Sequence, residues 1–221
     1  MPANILDHTA NPVLGDRLRE IRSRDLQSDR RRFRDNVRLL GTLLGYEIGR
    51  TLPTRTETVR TSLGERDVEV GQTSPVLATA LRAGLPFLEG MLAAFPESDV
   101  TFFGAARQEA GGPDDDGAMK VKLDYDAISD CSGRPLVFVD PMVATGSTVI
   151  DIYTALRERG HAPSRFIIAG LVGYSGAVER LETSIPDVET WFVTADERLD
   201  ENGYIVPGLG DAGDLCYGGK M

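Results

Sequence analysis

Apolar residues Phe33, Val37, Leu40, Leu44 and Ile48 recur at steps of three and four, which places them on one face of a helix over residues 29–50. A shorter helix is predicted over 16–25, and Pro53 closes the helical region. The period then falls to two. Residues 56–61 and 67–70 alternate as strands about the turn Leu63-Gly64-Glu65-Arg66, and this polar ribbon reads as an arm, 56–70, standing off the main body.

Five apolar runs follow: PVLATAL from Pro75, DVTFFGAA from Asp99, RPLVFVD from Arg134, RFIIAGLVG from Arg165 and VETWFVTAD from Val188. Helical patterns over 85–94, 149–159 and 177–183 separate most of them, so the order predicts an α/β fold with a central, mainly parallel sheet flanked by crossover helices. There is no internal repeat. The stretch Gly111-Gly112-Pro113-Asp114-Asp115-Asp116-Gly117 joins glycine to like charge, the composition of a mobile surface loop, so residues 1–221 read as a single domain.

Composition narrows the function classes. A chain of 221 residues with 41% hydrophobic content is long enough to remove roughly 70% of its unfolded surface from water. The net charge of −10 and pI of about 4.7 oppose sequence-independent binding to nucleic acid or to an anionic membrane, whose affinity comes from clustered cations. The arginine run at 30–34 surrounds Phe33 of the apolar stripe and reads as the solvated side of the same helix. The N-terminal MPANILDHTANP carries acids and prolines where a secretory leader needs a basic start and an apolar stretch, and no apolar run approaches the roughly 20 residues that span a bilayer. Cys131 and Cys216 share no close metal-ligand spacing with His8 or His161, so neither a disulfide framework nor a zinc site is expected, and a reducing cytoplasm is.

The candidate chemistry gathers at VFVDPMVATGSTVI, residues 137–150. A buried strand over 136–139 runs into Asp140, and Val149, Ile152, Tyr153 and Leu156 then form one apolar helix face. Ligands of open α/β sheets bind at the carboxyl ends of the strands, and Ala144-Thr145-Gly146-Ser147-Thr148 supplies backbone N–H groups and hydroxyls at a helix N-terminus, where phosphate is stabilised. An ordinary strand-to-helix turn capped by Ser147 or Thr148 accounts for this stretch taken alone equally well. Neither a Walker loop nor a dinucleotide fingerprint is present.

An apolar strand, an acid and then Thr-Gly-x-Thr resembles the phosphoribosyl-pyrophosphate (PRPP) loop of type I phosphoribosyltransferases. Asp140-Pro141, in place of two adjacent acids, is similar to the version found in uracil phosphoribosyltransferases. Residues 17–47 resemble that family's N-terminal helices, and Leu81-Arg82-Ala83-Gly84-Leu85 its pyrophosphate-binding turn. NGYIVPGLGDAGD, residues 202–214, is similar almost residue for residue to its uracil-binding segment.

The resemblance implies the type I phosphoribosyltransferase fold with a C-terminal base-binding hood over 196–221, and conversion of uracil and PRPP into UMP and diphosphate. It implies PRPP contacts from Arg82, Arg107, Asp140, Pro141, Met142, Val143, Ala144, Thr145, Gly146, Ser147, Thr148 and Asp211, with Asp140, Asp211 and Arg82 at the reacting centre. Uracil falls to Ile205, Gly210, Asp211 and Ala212, where peptide groups match its two N–H donors and two carbonyl acceptors and reject cytosine. Mg2+ is expected through PRPP and water without a direct protein ligand. A homodimer or higher homo-oligomer that uses the arm is expected too, and a nucleotide effector is a possible further partner.

Two features depart from the family pattern. Ser147 stands where a second glycine is usual, and Ala105-Ala106 precede Arg107 where an aromatic is common, next to the acidic insertion at 114–116 and to Lys120 and Lys122. A non-catalytic PRPP or nucleotide sensor, and a transferase for another base, are the competing readings.

Overall fold

The structure, a computed structural model, describes residues 3–8, 10–107 and 121–219. Two helices come first, α1 (Pro12–Arg22) and α2 (Arg30–Gly49), after a short β1 (Asn4–Ile5). α1 starts four residues before the expected Asp16, because Asn11 accepts hydrogen bonds from the Val13 and Leu14 amides and Pro12 opens the first turn. It ends three residues before Asp25. Asp29 caps α2 through the Arg31 and Arg32 amides, and the stripe Phe33, Val37, Leu40, Leu44 and Ile48 is buried as its spacing requires. In the arginine run, Arg31 and Arg32 are exposed beside Asp35 and Asp29, whereas Arg34 turns inward to donate to the Cys216 carbonyl at 2.6 Å.

The arm is a separate antiparallel hairpin of β2 (Thr54–Arg60) and β3 (Glu65–Gly71). Three of its cross-strand pairs join polar side chains: Thr56 donates to Glu69, Thr58 to Asp67, and Arg60 pairs with Glu65. Leu63 at its tip is 98% exposed.

The main sheet takes in β4 (Val76–Leu81), β5 (Val100–Arg107), β6 (Val121–Ala127), β7 (Pro135–Val143), β8 (Arg165–Tyr174) and β9 (Glu189–Asp196), in the order β1-β9-β8-β7-β4-β5-β6. Every pairing is parallel except β5 with β6. All five expected strands are present, while β1 and the antiparallel edge strand β6 were not foreseen. Residues 111–117 lie outside the described residues.

Helices α3 (Leu85–Ala94), α4 (Ser147–Glu158) and α5 (Ala177–Ser184) complete the crossovers. The pleat divides the strand residues between two cores. Leu77, Val137, Val139, Ile167 and Ala169 pack with α1, α2 and α3, and Ala78, Leu136, Phe138 and Ile168 pack with α4 and α5. A fully buried side chain such as Phe138 contributes about 1.5–3 kcal/mol through lost water contact. After β9 the chain makes a small ribbon, β10 (Arg198–Leu199) with β11 (Ile205–Val206), and a short helix α6 (Ala212–Tyr217). No described helix is long and apolar enough to cross a membrane.

Candidate active site

Parallel strands bring their carboxyl ends to one edge of the sheet, and three segments singled out from sequence leave from that edge. They are the turn after β4 with Arg82, the loop between β7 and α4, and the C-terminal segment after β9. One apolar cluster lies under all three, since Ile205, Leu209 and Ala212 belong to a buried core against which the partly buried Ala83, Met142 and Ala144 pack.

β7 runs on to Val143, so Asp140 lies within the strand rather than at its end and faces Gly170 of β8 in register. Its Oδ1 accepts from the Met142 amide at 3.0 Å. Pro141 and Val143 are buried. Thr145, Ser147 and Thr148 are half-buried, and the Thr145 and Ser147 hydroxyls lie 2.9 Å apart. Neither Ser147 nor Thr148 caps α4. The cap is Gly146, at φ +79°, which has no side chain to offer, and the Ser147 amide of the first turn donates to the Thr145 hydroxyl at 3.4 Å. An alanine here would meet Leu181 of α5, with its Cβ 2.9 Å from Cδ2, in addition to the unfavourable φ. The loop therefore has the form of an anion cradle, with N–H groups at a helix N-terminus.

Thr79 lies beneath the site and was not singled out from sequence. It is fully buried in β4, and its hydroxyl donates to the Val139 carbonyl at 2.7 Å, next to Asp140. It also packs so tightly under the Arg82-Ala83-Gly84 turn that a Cβ on Gly84 would overlap its Oγ1. A lone threonine in VLATAL is the only trace of this in the sequence.

Arg82 donates from Nη2 to Asp214 Oδ1 at 2.7 Å and to the Gly218 carbonyl at 2.9 Å, while its Nε is buried with no hydrogen-bond partner. Asp211 is the N-cap of α6, with Oδ1 accepting from the Asp214 amide at 3.0 Å. Arg82, Asp211 and Asp214 thus come together, and a Cβ on Gly213 would stand 3.1 Å from Asp211 Oδ1 and 3.7 Å from Arg82 Nε. Asp214 is the second residue not anticipated. Gly210 is exposed at φ +95°, and Ile205 and Ala212 on either side of it are buried. Arg107 ends β5, the strand beside β4, at the same edge; its side chain is outside what the structure describes, as are residues 114–116 and Lys120. Beneath the site, burial pushes the Cys216 thiol up to about 11.

Among the described residues no three His, Cys, Asp or Glu side chains converge to hold a metal ion. Asp140 and Asp211 supply hard oxygen donors at the edge, the kind Mg2+ accepts one or two of when the rest of its shell is water and substrate phosphate.

Residues 9–219 match the model of the uracil phosphoribosyltransferase family. The chain belongs to that family. It is 40% identical over 203 residues to the uracil phosphoribosyltransferase of Porphyromonas gingivalis, covering 91% of this chain and 92% of the other. It is 38% identical over 205 residues to that of Natronomonas pharaonis, with 91% of each covered. The solved structure of the AQ2163 protein of Aquifex aeolicus superposes with a TM-score of 0.81 at 29% identity, over 99% of this chain and 98% of that one. The uracil phosphoribosyltransferase resemblance of the four sequence motifs is thereby established as kinship along nearly the whole chain.

Proposed function

We propose that the protein is a pentosyltransferase that makes UMP and diphosphate from uracil and PRPP in pyrimidine salvage. The observation that carries this reading is the meeting of the Arg82 turn, the 140–148 loop and the 205–214 segment at one sheet edge, in a chain of this family. The reaction forms a bond from uracil N1 to the ribosyl anomeric carbon and breaks that carbon's bond to diphosphate, with release of the N1 proton. Positive charge grows on the sugar and negative charge on the leaving group, so positioning and electrostatics suffice and no protein nucleophile is needed.

In this reading the α4 amides and the hydroxyls of Thr145, Ser147 and Thr148 hold the 5′-phosphate, and the peptide groups of Pro141, Met142, Val143, Ala144 and Gly146 shape the cradle. Asp140 takes the ribose hydroxyls. Arg82, held beside the site by Asp214 and the Gly218 carbonyl, brings its positive charge to the diphosphate, with Arg107 on the neighbouring strand as its second cation. Peptide groups of Ile205, Gly210 and Ala212 read uracil, and Asp211 stands between base and PRPP. Mg2+ bound with PRPP would offset charge on the diphosphate, and Asp140 and Asp211 would face it through water.

The chain works as one catalytic unit with the arm at 56–70 and a hood at 196–221, assembles as a homodimer or higher oligomer through the arm, and acts in the cytoplasm, in keeping with two buried free thiols. Labelled uracil incubated with PRPP and Mg2+ tests the activity. UMP formation supports the reading; binding of PRPP with no turnover would favour a sensor on the same fold.

A further inference from the structure

The segment that carries the base-reading peptides is held from outside the site by Arg22, the last residue of α1. Arg22 Nη1 donates to Asp196 Oδ2 at 2.8 Å and to the Gly208 carbonyl at 3.1 Å, and Nη2 donates to Asp196 Oδ1 at 3.2 Å and to the Thr194 hydroxyl at 3.2 Å. Asp196 Oδ2 also accepts from the Gly208 amide at 3.0 Å. Both peptide groups of Gly208 are therefore fixed by one ion pair, whose side chains are only 22% and 11% exposed. Five residues beyond Arg22, the Gln27 amide, oriented so that both its ends are satisfied, donates to the Leu209 carbonyl at 2.9 Å and to the Ile21 carbonyl at 3.1 Å. The Thr194 hydroxyl in turn donates to Asp7 at 3.0 Å.

These contacts hold the three peptide units that lead from Pro207 to Gly210, and they touch none of the residues assigned to PRPP. On the reading of 205–212 as the uracil site, we infer that Arg22 is a positioning residue for base recognition, which sets the aim of the peptide groups at Gly210 through Asp196 and Gly208. The forked guanidinium is required because one cation must serve a carboxylate, a carbonyl and a hydroxyl at once; a lysine ammonium reaches Asp196 but cannot span all three.

The test uses the full chain with Arg22→Lys and Arg22→Met, and Asp196→Asn should Arg22→Met fail to fold. Four readouts are taken: uracil KM at saturating PRPP, kcat, calorimetric affinity for PRPP with Mg2+, and amide exchange across 204–212. The expected result is a uracil KM raised about tenfold in Arg22→Lys and more in Arg22→Met, with kcat and PRPP affinity held within about threefold, and exchange quickened in 204–212. A fold-stabilising role alone would leave uracil KM unchanged or lower both affinities together, and either result overturns the inference. Gly210→Ala, run alongside, separates the two levels of the argument. If it weakens uracil while the Arg22 variants do not, only the role of Arg22 is wrong; if neither weakens uracil and Gly210→Ala leaves Tm unchanged as well, the base site itself is wrongly placed.

Discussion

Replacing Gly210 with alanine asks whether uracil is read by the backbone. The added Cβ has open space, its nearest neighbour being Leu215 Cδ1 at 4.0 Å, so the substitution acts through φ +95° alone and not through collision. Holding a non-glycine residue in such a region costs about 1–3 kcal/mol. Two outcomes divide that energy. If the loop keeps its shape, the strain lowers stability, and in a domain of this size each 1 kcal/mol moves Tm by about 2–4 °C. If the loop relaxes to a negative φ, stability is spared, and uracil binding must restore the strained angle, which weakens affinity by roughly 5- to 150-fold over the same energy range. The adjoining clamp on Gly208 and Leu209 resists bulk movement of the loop and favours a local rotation of the Gly210 peptide, so the expected result is mainly lost affinity. Calorimetric titration with uracil in the presence of PRPP, set beside a thermal melt, reads both. PRPP affinity stays as it was. Uracil affinity and Tm both unchanged would refute the reasoning, since the strain would then have gone nowhere.

Asp140→Asn keeps an acceptor for the Met142 amide and so keeps the fold, but it lowers kcat/KM for PRPP by about 10- to 100-fold through loss of a charged hydrogen-bond partner for the sugar; steady-state kinetics with unchanged values would reject that role. Cys216 titrates from an ordinary 9.0 up to about 11 in the fold, so the native thiol stays protonated and resists alkylation at neutral pH, and reaction with iodoacetamide follows unfolding. By linkage the unfolded chain loses this proton first, and the contribution of the protonated thiol to stability declines as pH rises from 9 to 11; denaturant melts across that window check the sign. Light scattering at micromolar concentration gives at least a dimer, and Leu63→Glu at the exposed arm tip weakens the association; a monomer contradicts both.

The α2 stripe and the five central strands were legible because their periods are long and consistent. β6 carries a period of two, Val121, Leu123, Tyr125 and Ala127 against Lys122, Asp124 and Asp126, but a search for unbroken apolar runs passes over an alternating edge strand. β1, β10 and β11 are two residues each, too short for any period. The start of α1 was available in Asn11-Pro12. At the site, the loop glycine and the acid were readable from local spacing. Arg22 with Asp196 and Arg82 with Asp214 were not, because these partners lie 174 and 132 residues apart and only the closed fold brings them together. Asp211 shows both faces of the problem, since its capping of α6 is legible as an Asx-type turn and its place beside Arg82 is not.

The central claim, that this edge joins uracil to a phosphoribosyl group, is tested most directly by supplying PRPP, Mg2+ and uracil, cytosine, hypoxanthine or orotate in separate reactions and measuring nucleotide and diphosphate together. The account predicts UMP and diphosphate in equal amounts with uracil and no nucleotide with the other three. A nucleotide from another base in place of UMP, or PRPP bound with no diphosphate released under any of the four, would contradict it.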